Sequence, residues 1–337
     1  MKRYILFLAC ALCAILFTSC GEKEFYNDEQ YRKECYIVSD DNNIFGQEYT
    51  FGENAIGYLS LYMSGSTPVE HDVVVTLRPA EQLLKDYNQR VFGTSYDSYA
   101  EILPADSYYA PEGWTTKMTA DNPYTLFPIA VSIDQLDPAK IYYLPIEIAS
   151  VDDYQYSENK SYVLYQIYMK NAYATTKKDT YYQMFGTTID LVSDGTSMSQ
   201  LDPVAVPTVF NATKKMLPVS ENAVSVLPGS TQTSSDLRYI KITITDEIYQ
   251  CPVTGDDGLP TGKTIPVNKV QIVPKNEGSA CVQVAKAYDA YTGEELTSYY
   301  NPADNTFTLN YCFRMPNEKS GNNELWHKVH EEMARLN

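Results

Sequence analysis

One short segment of the chain alternates isoleucine with mostly polar residues so regularly that only an extended strand accommodates it. Isoleucine occupies every second position of residues 239–245, and the positions between them carry tyrosine, lysine and threonine. Successive side chains of a strand point to opposite faces, so the segment has one apolar face and one largely polar face. It is therefore predicted to be a strand with one face in a core.

Short apolar runs of this kind recur along the chain and are separated by clusters of Asp, Asn, Pro and Gly. They are rich in β-branched and aromatic residues, and they span 58–63, 73–77, 126–133, 141–148, 162–169, 269–273, 281–287 and 306–315. Such spacing favours β-sandwiches over alternating strand–helix units. The predicted fold class is all-β, with an N-terminal immunoglobulin-like β-sandwich and a C-terminal β-sandwich or barrel.

Two segments depart from the strand pattern and are predicted to be helices. The first is residues 81–88, and the second closes the chain at 323–336. The terminal segment has an apolar stripe of helical period, formed by Leu325, Trp326, Val329, Met333 and Leu336. Residues 171–179 lack any apolar period, which predicts a boundary between domains at 35–172 and 173–337.

The first twenty residues resemble a secretory signal that ends in a bacterial lipobox. Lys2 and Arg3 precede an apolar run, which ends in small residues before Cys20. The run is shorter than the ~20 residues of a membrane-spanning helix. We expect residues 1–20 to be a signal peptide and Cys20 to be lipidated, the alternatives being an uncleaved anchor or a signal without lipid. The polar residues 21–34 are predicted to be a flexible tether.

Charge and composition narrow the class of partner. The formal net charge is −17, which disfavours binding to nucleic acid or to anionic lipid and leaves acyl chains as the expected membrane attachment. Gly21 follows the lipidated position, where an Asp would retain a lipoprotein at the inner membrane. We therefore expect the outer membrane, with the protein facing outward. The chain has 30 tyrosines, a residue suited to strand faces and binding surfaces.

Cysteine and histidine give no recognisable metal or nucleophile motif. Beyond Cys20, the mature chain has Cys35, Cys251, Cys281 and Cys312, which form disulfides in one of three pairings or remain buried thiols. His327 and His330 share a predicted helix with Glu331 but lack a third ligand. The oxygen-rich residues 40–43 and 255–258 do not have an EF-hand pattern. No catalytic residue, metal or cofactor is predicted.

Several segments carry a resemblance to a known family. They are Leu103-Pro104 with Tyr108, residues 124–133, Leu136-Asp137, the Tyr-x-Leu-Pro-Ile stretch 142–146, residues 161–171, and in the second half residues 306–311 with Trp326. The first half resembles the N-terminal domain of unknown function of Bacteroidetes surface lipoproteins. In some of those proteins it precedes a family-18 glycoside hydrolase domain, and in others a second all-β domain. This chain lacks the acidic signature of the hydrolase, so the resemblance does not imply that activity.

The resemblance implies an accessory glycan-binding lipoprotein of a starch-utilisation-type system, beside an outer-membrane importer and its lipoprotein lid. The expected ligand is an oligosaccharide or polysaccharide, because sugars stack on exposed aromatic rings and need polar partners for their hydroxyls. The candidate contacts lie in two aromatic loop regions, and they are Tyr109, Glu112, Trp114 and Lys117 in the first and Tyr288, Tyr291, Tyr299 and Tyr300 in the second. The alternatives are a glycoside hydrolase with an unrecognised carboxylate pair, or a structural or adhesive surface protein.

Overall fold

The computed structural model describes residues 29–53, 55–193, 206–232, 235–255, 257 and 259–336. The predicted signal peptide, Cys20 and most of the tether lie outside these residues. The described chain forms two compact units. The first comprises residues up to 47 together with 54–132 and 141–167, and the second comprises 48–53, 133–140 and the chain from 168 onward.

Strands dominate the first part of the chain, as the sequence predicts. Their bounds are β1 Glu34–Ile37, β2 Ile44–Thr50, β3 Ile56–Met63, β4 Val73–Pro79, β5 Glu101–Ile102, β6 Tyr108–Tyr109, β7 Thr115–Met118, β8 Tyr124–Val131, β9 Tyr142–Val151, β10 Gln155–Tyr156 and β11 Tyr162–Lys170. The one α-helix that the described residues contain is α1, Glu81–Phe92, which includes the predicted 81–88. No described helix is long and apolar enough to cross a membrane.

These strands form two sheets. The outer face of the second sheet is covered in part by α1, where Leu84 packs with Tyr143 of β9 and Leu164 of β11. The first sheet has the order β10-β1-β3-β8-β6, and the second has the order β2-β11-β9-β4-β7 with β5 added parallel to β9. Leu59 and Leu61 of β3 and Phe127 of β8 are fully buried. Trp114 precedes β7 of the second sheet and packs on Phe127 of the first, with 5.7 Å between ring centroids. The buried faces of the two sheets therefore face each other, as in a sandwich.

The second unit is built from longer strands. They are β12 Thr180–Ser193, β13 Thr208–Ser220, β14 Ala223–Val226, β15 Ile240–Thr254, β16 Pro260–Pro274, β17 Gln283–Lys286, β18 Tyr299–Asn301, β19 Thr306–Arg314, β20 Lys319–Ser320 and β21 Asn323–Arg335. Hydrogen bonding follows the order β19-β18-β16-β15-β14-β13-β12-β21, and β21 pairs again with β19. These eight strands thus close into a ring, which we call the strand ring.

The predicted terminal helix is wrong, because residues 323–335 form β21. This strand pairs with β12 on one side and β19 on the other. Val329, Glu331 and Met333 point into the strand ring, where they are buried. The charge of Glu331 hides the period-two pattern, so that the remaining apolar positions imitate a helical stripe. Trp326 is buried as expected, but on the outer face, against Leu191 and Cys312.

Candidate functional site

The outer face of the strand ring carries a groove built from two cross-strand rows. In the first row, Phe185 of β12 lies opposite Glu332 of β21, Glu332 lies opposite Thr308 of β19, and Thr308 lies opposite Tyr299 of β18. The second row runs beside it and contains Gln183, Ala334, Thr306 and Asn301. The side chains of both rows share one face because they sit two residues apart on each strand.

The groove is open and has both aromatic and polar walls. Its volume is about 340 Å³. Phe185 at one end is 56% exposed. At the other end Ile265 of β16 forms a wall beside Tyr299, whose ring lies 6.0 Å from that of Tyr249 on β15. The groove therefore has an apolar contact at each end and polar groups between them.

The polar rim is held in place by its own hydrogen bonds. Asp304 lies in the turn between β18 and β19, where one carboxylate oxygen accepts the Asn301 amide at 2.9 Å and the other accepts the Thr306 N–H at 3.1 Å. On β12, the side-chain amide oxygen of Gln183 accepts a hydrogen bond from the hydroxyl of Thr213 at 3.1 Å. Side chains fixed in this way lose little freedom when a ligand binds, which favours affinity.

The groove is acidic and its tyrosine is neutral. Two of its lining side chains, Asp304 and Glu332, are carboxylates, and none of the described lining residues is Lys, Arg or His. Burial raises the pKa of Tyr299 to about 12, and the nearby Cys251 thiol adds to the shift. The Tyr299 hydroxyl therefore keeps its proton at neutral pH. The arrangement suits a neutral ligand with many hydroxyls and apolar ring faces.

The four candidate glycan contacts of the first predicted loop do not lie together in one site. The Trp114 ring is half-buried between Phe127 and Tyr108, so it packs on the sandwich core. Tyr109 is 65% exposed on β6. Glu112 and Lys117 line one shallow depression, and Lys117 forms an ion pair with Asp72 at 2.6 Å. Only Glu112 and Lys117 thus share a concave surface.

The four candidate tyrosines of the second predicted region also lie in different surroundings. Tyr299 alone of the eight candidates lines the groove. Tyr300, its neighbour, points inward and packs on Phe307 at 4.7 Å, which leaves no ring face for a ligand. Tyr291 is 98% exposed at the tip of a turn, where Asp289 accepts the backbone N–H groups of residues 291 and 292. Tyr288 lies at the base of that turn, bridged to Glu295.

The candidate metal positions do not assemble into a site. His327 and His330 lie three apart on β21, so they point to opposite faces, and His327 pairs with Asp190 at 2.8 Å. The Asp40 carboxylate accepts the N–H groups of Asn42 and Ile44 at 2.9 and 2.7 Å. Part of the second oxygen-rich segment, residues 256 and 258, lies outside the described residues. No group of three or more potential metal ligands occurs among the residues described.

The cysteines of the described chain are free thiols. Cys35, Cys281 and Cys312 are buried and Cys251 is half-buried. Burial raises the pKa of both Cys35 and Cys312 to about 12. These two thiols are therefore protonated at neutral pH, which makes them poor nucleophiles.

A set of titratable groups lies inside the strand ring, away from the groove. Tyr311 donates its hydroxyl to Glu331 at 2.8 Å and accepts the N–H of Gly229 at 2.8 Å. Lys214 donates to the carbonyl of Leu227 at 2.7 Å. Glu331 and Lys214 are each at most 4% exposed. Burial raises the pKa of Glu331 to about 7 and lowers that of Lys214 to about 8.

Sequence reasoning missed most of the groove. Phe185, Gln183 and Glu332 lie on β12 and β21, which were not predicted as strands. A signal was present in β12, where Tyr182 and Met184 are buried and alternate with the outward residues 181, 183 and 185. The row itself depends on strand register, and register between distant segments cannot be read from local pattern.

Two family models match the sequence, one for each part of the chain. A model described as an N-terminal domain matches residues 31–155, and one described as C-terminal matches residues 161–334. No curated protein matches the sequence.

Solved structures from Bacteroides ovatus share the fold. A protein of unknown function from Bacteroides ovatus is 15% identical, with a TM-score of 0.57 over 91% of this chain and 94% of that chain. A multidomain protein including DUF1735 from the same species is 14% identical, with a TM-score of 0.52 over 91% and 94%. An auxiliary nutrient binding protein from Bacteroides thetaiotaomicron is 12% identical, with a TM-score of 0.46 over 88% and 94%.

Proposed function

We propose that this chain, which belongs to the family whose N-terminal and C-terminal models match residues 31–155 and 161–334, binds extracellular glycans without transforming them. The ligand is an oligosaccharide or polysaccharide held at the cell surface for uptake. The observation that carries the proposal is the row Phe185–Glu332–Thr308–Tyr299 on the outer face of the strand ring.

The chemistry of the row matches that of a sugar chain. A pyranose offers an apolar face to an aromatic ring, and the exposed Phe185 ring presents such a contact. Its hydroxyls need hydrogen-bond partners, which Glu332, Thr308, Gln183 and Asn301 supply. The two carboxylates in the groove favour neutral or amine-bearing sugars over acidic ones.

The proposed location is the outer surface of the outer membrane, with the protein attached through acyl chains on Cys20. The lipobox-like residues 17–20 and the Gly21 that follows support it. By resemblance to starch-utilisation-type lipoproteins, the proposed partners are an outer-membrane importer and its lipoprotein lid. Fatty-acid labelling of cells with wild-type protein and Cys20→Ser tests the anchor, and protease digestion of intact cells tests the outward orientation.

The binding proposal is tested by calorimetry of the purified protein against neutral oligosaccharides from a glycan panel. Phe185→Ala should weaken the strongest interaction about tenfold. Val209→Ala is the matched control, because Val209 is an exposed apolar residue on the neighbouring strand β13 and does not line the groove. Flat titrations against the whole panel contradict glycan binding, and release of reducing sugar contradicts the absence of catalysis.

A further inference from the structure

The first sheet of the N-terminal unit leaves an aromatic face open to solvent. Tyr36 of β1, Tyr58 and Tyr62 of β3, Tyr124 and Leu126 of β8, and Tyr109 of β6 share the face that points away from the sandwich core. Tyr58, Tyr62, Tyr109 and Tyr124 are between 36% and 65% exposed. We call these six residues the tyrosine face. Sheet faces of this kind, when exposed, mark interaction sites.

The register places three of the tyrosines in one cross-strand row and the other two further along the same face. Tyr36, Tyr62 and Tyr124 lie directly opposite one another across three neighbouring strands, and the rings of Tyr36 and Tyr62 are 5.5 Å apart. Tyr58 lies on the same face of β3, and Tyr109 lies opposite Ala130 at the far edge of β8. Four strands at about 4.8 Å spacing make the array about 14 Å wide, and the six steps along β8 from Tyr124 to Ala130 make it about 20 Å long.

The tyrosine face is nearly free of charge in a strongly acidic chain. Among the described residues at the outward positions of β1, β3, β6 and β8, the sole charged side chain is Glu34, at the start of β1. Glu34 is paired with Arg32 at 3.3 Å. The whole chain carries a formal charge of −17. An anionic ligand would thus meet no cation on the face and a repulsive field around it.

We propose that the tyrosine face is a second binding surface, and that it holds an extended, neutral polysaccharide chain. The inference rests on the proposed glycan-binding function and adds a site distinct from the groove. The five tyrosines offer ring faces for stacking and hydroxyls for hydrogen bonds. An uncharged sugar chain can use both, because its apolar ring faces stack on the tyrosine rings and its hydroxyls hydrogen-bond to the tyrosine hydroxyls. A second copy of the chain fits less well, since pairing brings two bodies of charge −17 together.

The two sites have different ligand requirements, which makes them separable. The groove extends from Phe185 to Tyr299, which suits a short segment of a sugar chain. The tyrosine face is flat and longer, so it contributes only when the ligand is long enough to lie across several rings. Short oligosaccharides therefore report on the groove, and polysaccharides report on both sites.

The test is affinity electrophoresis of the full-length protein in gels cast with neutral polysaccharides, using yeast mannan, xyloglucan and amylopectin in turn. The double variant Tyr62→Ala/Tyr124→Ala should be retarded less than wild type, with an apparent affinity about tenfold weaker, and the groove should account for the retardation that remains. Tyr96→Ala is the matched control, because Tyr96 is exposed and lies outside the sheet. Tyr58→Ala alone gives a milder variant, and thermal melting shows that each variant is folded.

Calorimetry with short oligosaccharides tests the groove alone, so it shows whether a negative result contradicts the tyrosine face or the proposed glycan-binding function of the groove. We expect the double tyrosine variant to bind them like wild type, while Phe185→Ala weakens them. Unchanged retardation of a folded double variant overturns the tyrosine face as a polysaccharide site. Sedimentation is the second readout: a wild-type dimer that the tyrosine substitutions convert to a monomer overturns the proposal in favour of a self-association surface.

Discussion

Phe185 and Tyr299 stand at the two ends of one cross-strand row, with Glu332 and Thr308 between them. Adjacent strands are about 4.8 Å apart, so three steps separate the two aromatic residues by about 14 Å. A single sugar ring does not reach both. The groove is therefore matched to a ligand of several sugars, with stacking at its ends and hydrogen bonds at its middle.

Ligand length should control affinity. Calorimetry with one neutral glycan series, from monosaccharide to hexasaccharide, should show affinity rising until the ligand reaches both aromatic residues and then levelling off. Phe185→Ala should cost oligosaccharides that reach both aromatic residues about 1.4 kcal/mol, a tenfold loss of affinity, and should leave the binding of monosaccharides at the Tyr299 end unchanged. Equal losses at every length would show that Phe185 does not act as a separate stacking position.

Charge selectivity should depend on Glu332. The groove lining has two carboxylates, and Asp304 is engaged by Asn301 and Thr306, which makes Glu332 the cleaner substitution. Glu332→Gln should bind neutral glycans nearly as wild type does and narrow the preference for neutral over uronic-acid glycans several-fold, most clearly at low salt. A preference that is unchanged at low salt would place the charge discrimination elsewhere.

Trp114 should matter for stability. Its ring packs on the fully buried Phe127 and against Tyr108, so Trp114→Ala leaves a gap at the edge of the core. The free energy of unfolding should fall by about 2–3 kcal/mol, with oligosaccharide affinity unchanged. Tyr291→Ala is the control, because an almost fully exposed ring contributes little to the folded state. Lost affinity with unchanged stability would restore Trp114 as a ligand contact.

The contrast between Trp114 and Phe185 shows what local sequence can and cannot predict. The strand runs and α1 were predictable, because alternation and turn residues are local signals. The aromatic content of the loop 107–117 was also visible, but its burial depends on Phe127 from another sheet. The groove requires four strands from different parts of the chain in one register, and β21 was hidden by the buried Glu331. The position of the groove therefore depends on pairing between strands that are distant in sequence, which local patterns do not predict.

The buried Glu331 should make stability depend on pH. Burial raises its pKa from 4.5 to about 7, so between these values the folded state binds more proton than the unfolded state. Stability from this group is full below about pH 4.5 and is lost as pH rises towards 7. The lowered pKa of Lys214, about 8 against 10.5, acts in the opposite direction, but only above about pH 8.

Urea unfolding at pH 5.0, 5.5, 6.0 and 6.5 isolates the carboxyl group. Relative to Glu331→Gln, wild type should lose roughly 1–2 kcal/mol between pH 5.0 and 6.5 as the carboxyl deprotonates. The other groups facing this carboxyl are Lys214 of β13 and the hydroxyl of Tyr311 on β19. Both keep their protons in this window. Parallel curves for the two proteins would mean that Glu331 titrates normally.

Gly186 should tolerate no side chain, because it lets β12 and β21 approach beside the groove. It lies opposite Glu331, and an added Cβ would stand 2.8 Å from the Phe210 ring and 2.9 Å from the Glu331 Cβ, with the His330 backbone closer still. Relief requires the strand to move, which also displaces the neighbouring Phe185. Gly186→Ala should therefore lower the free energy of unfolding by about 2 kcal/mol or more and weaken oligosaccharide binding. Gly262→Ala is the comparison: its added Cβ meets no atom within 4 Å, so any loss of stability there reports only the backbone strain of its φ of +73°, which Gly186 does not have. A Gly186→Ala protein with wild-type stability and affinity would show that β12 and β21 can move apart without displacing the row from Phe185 to Tyr299.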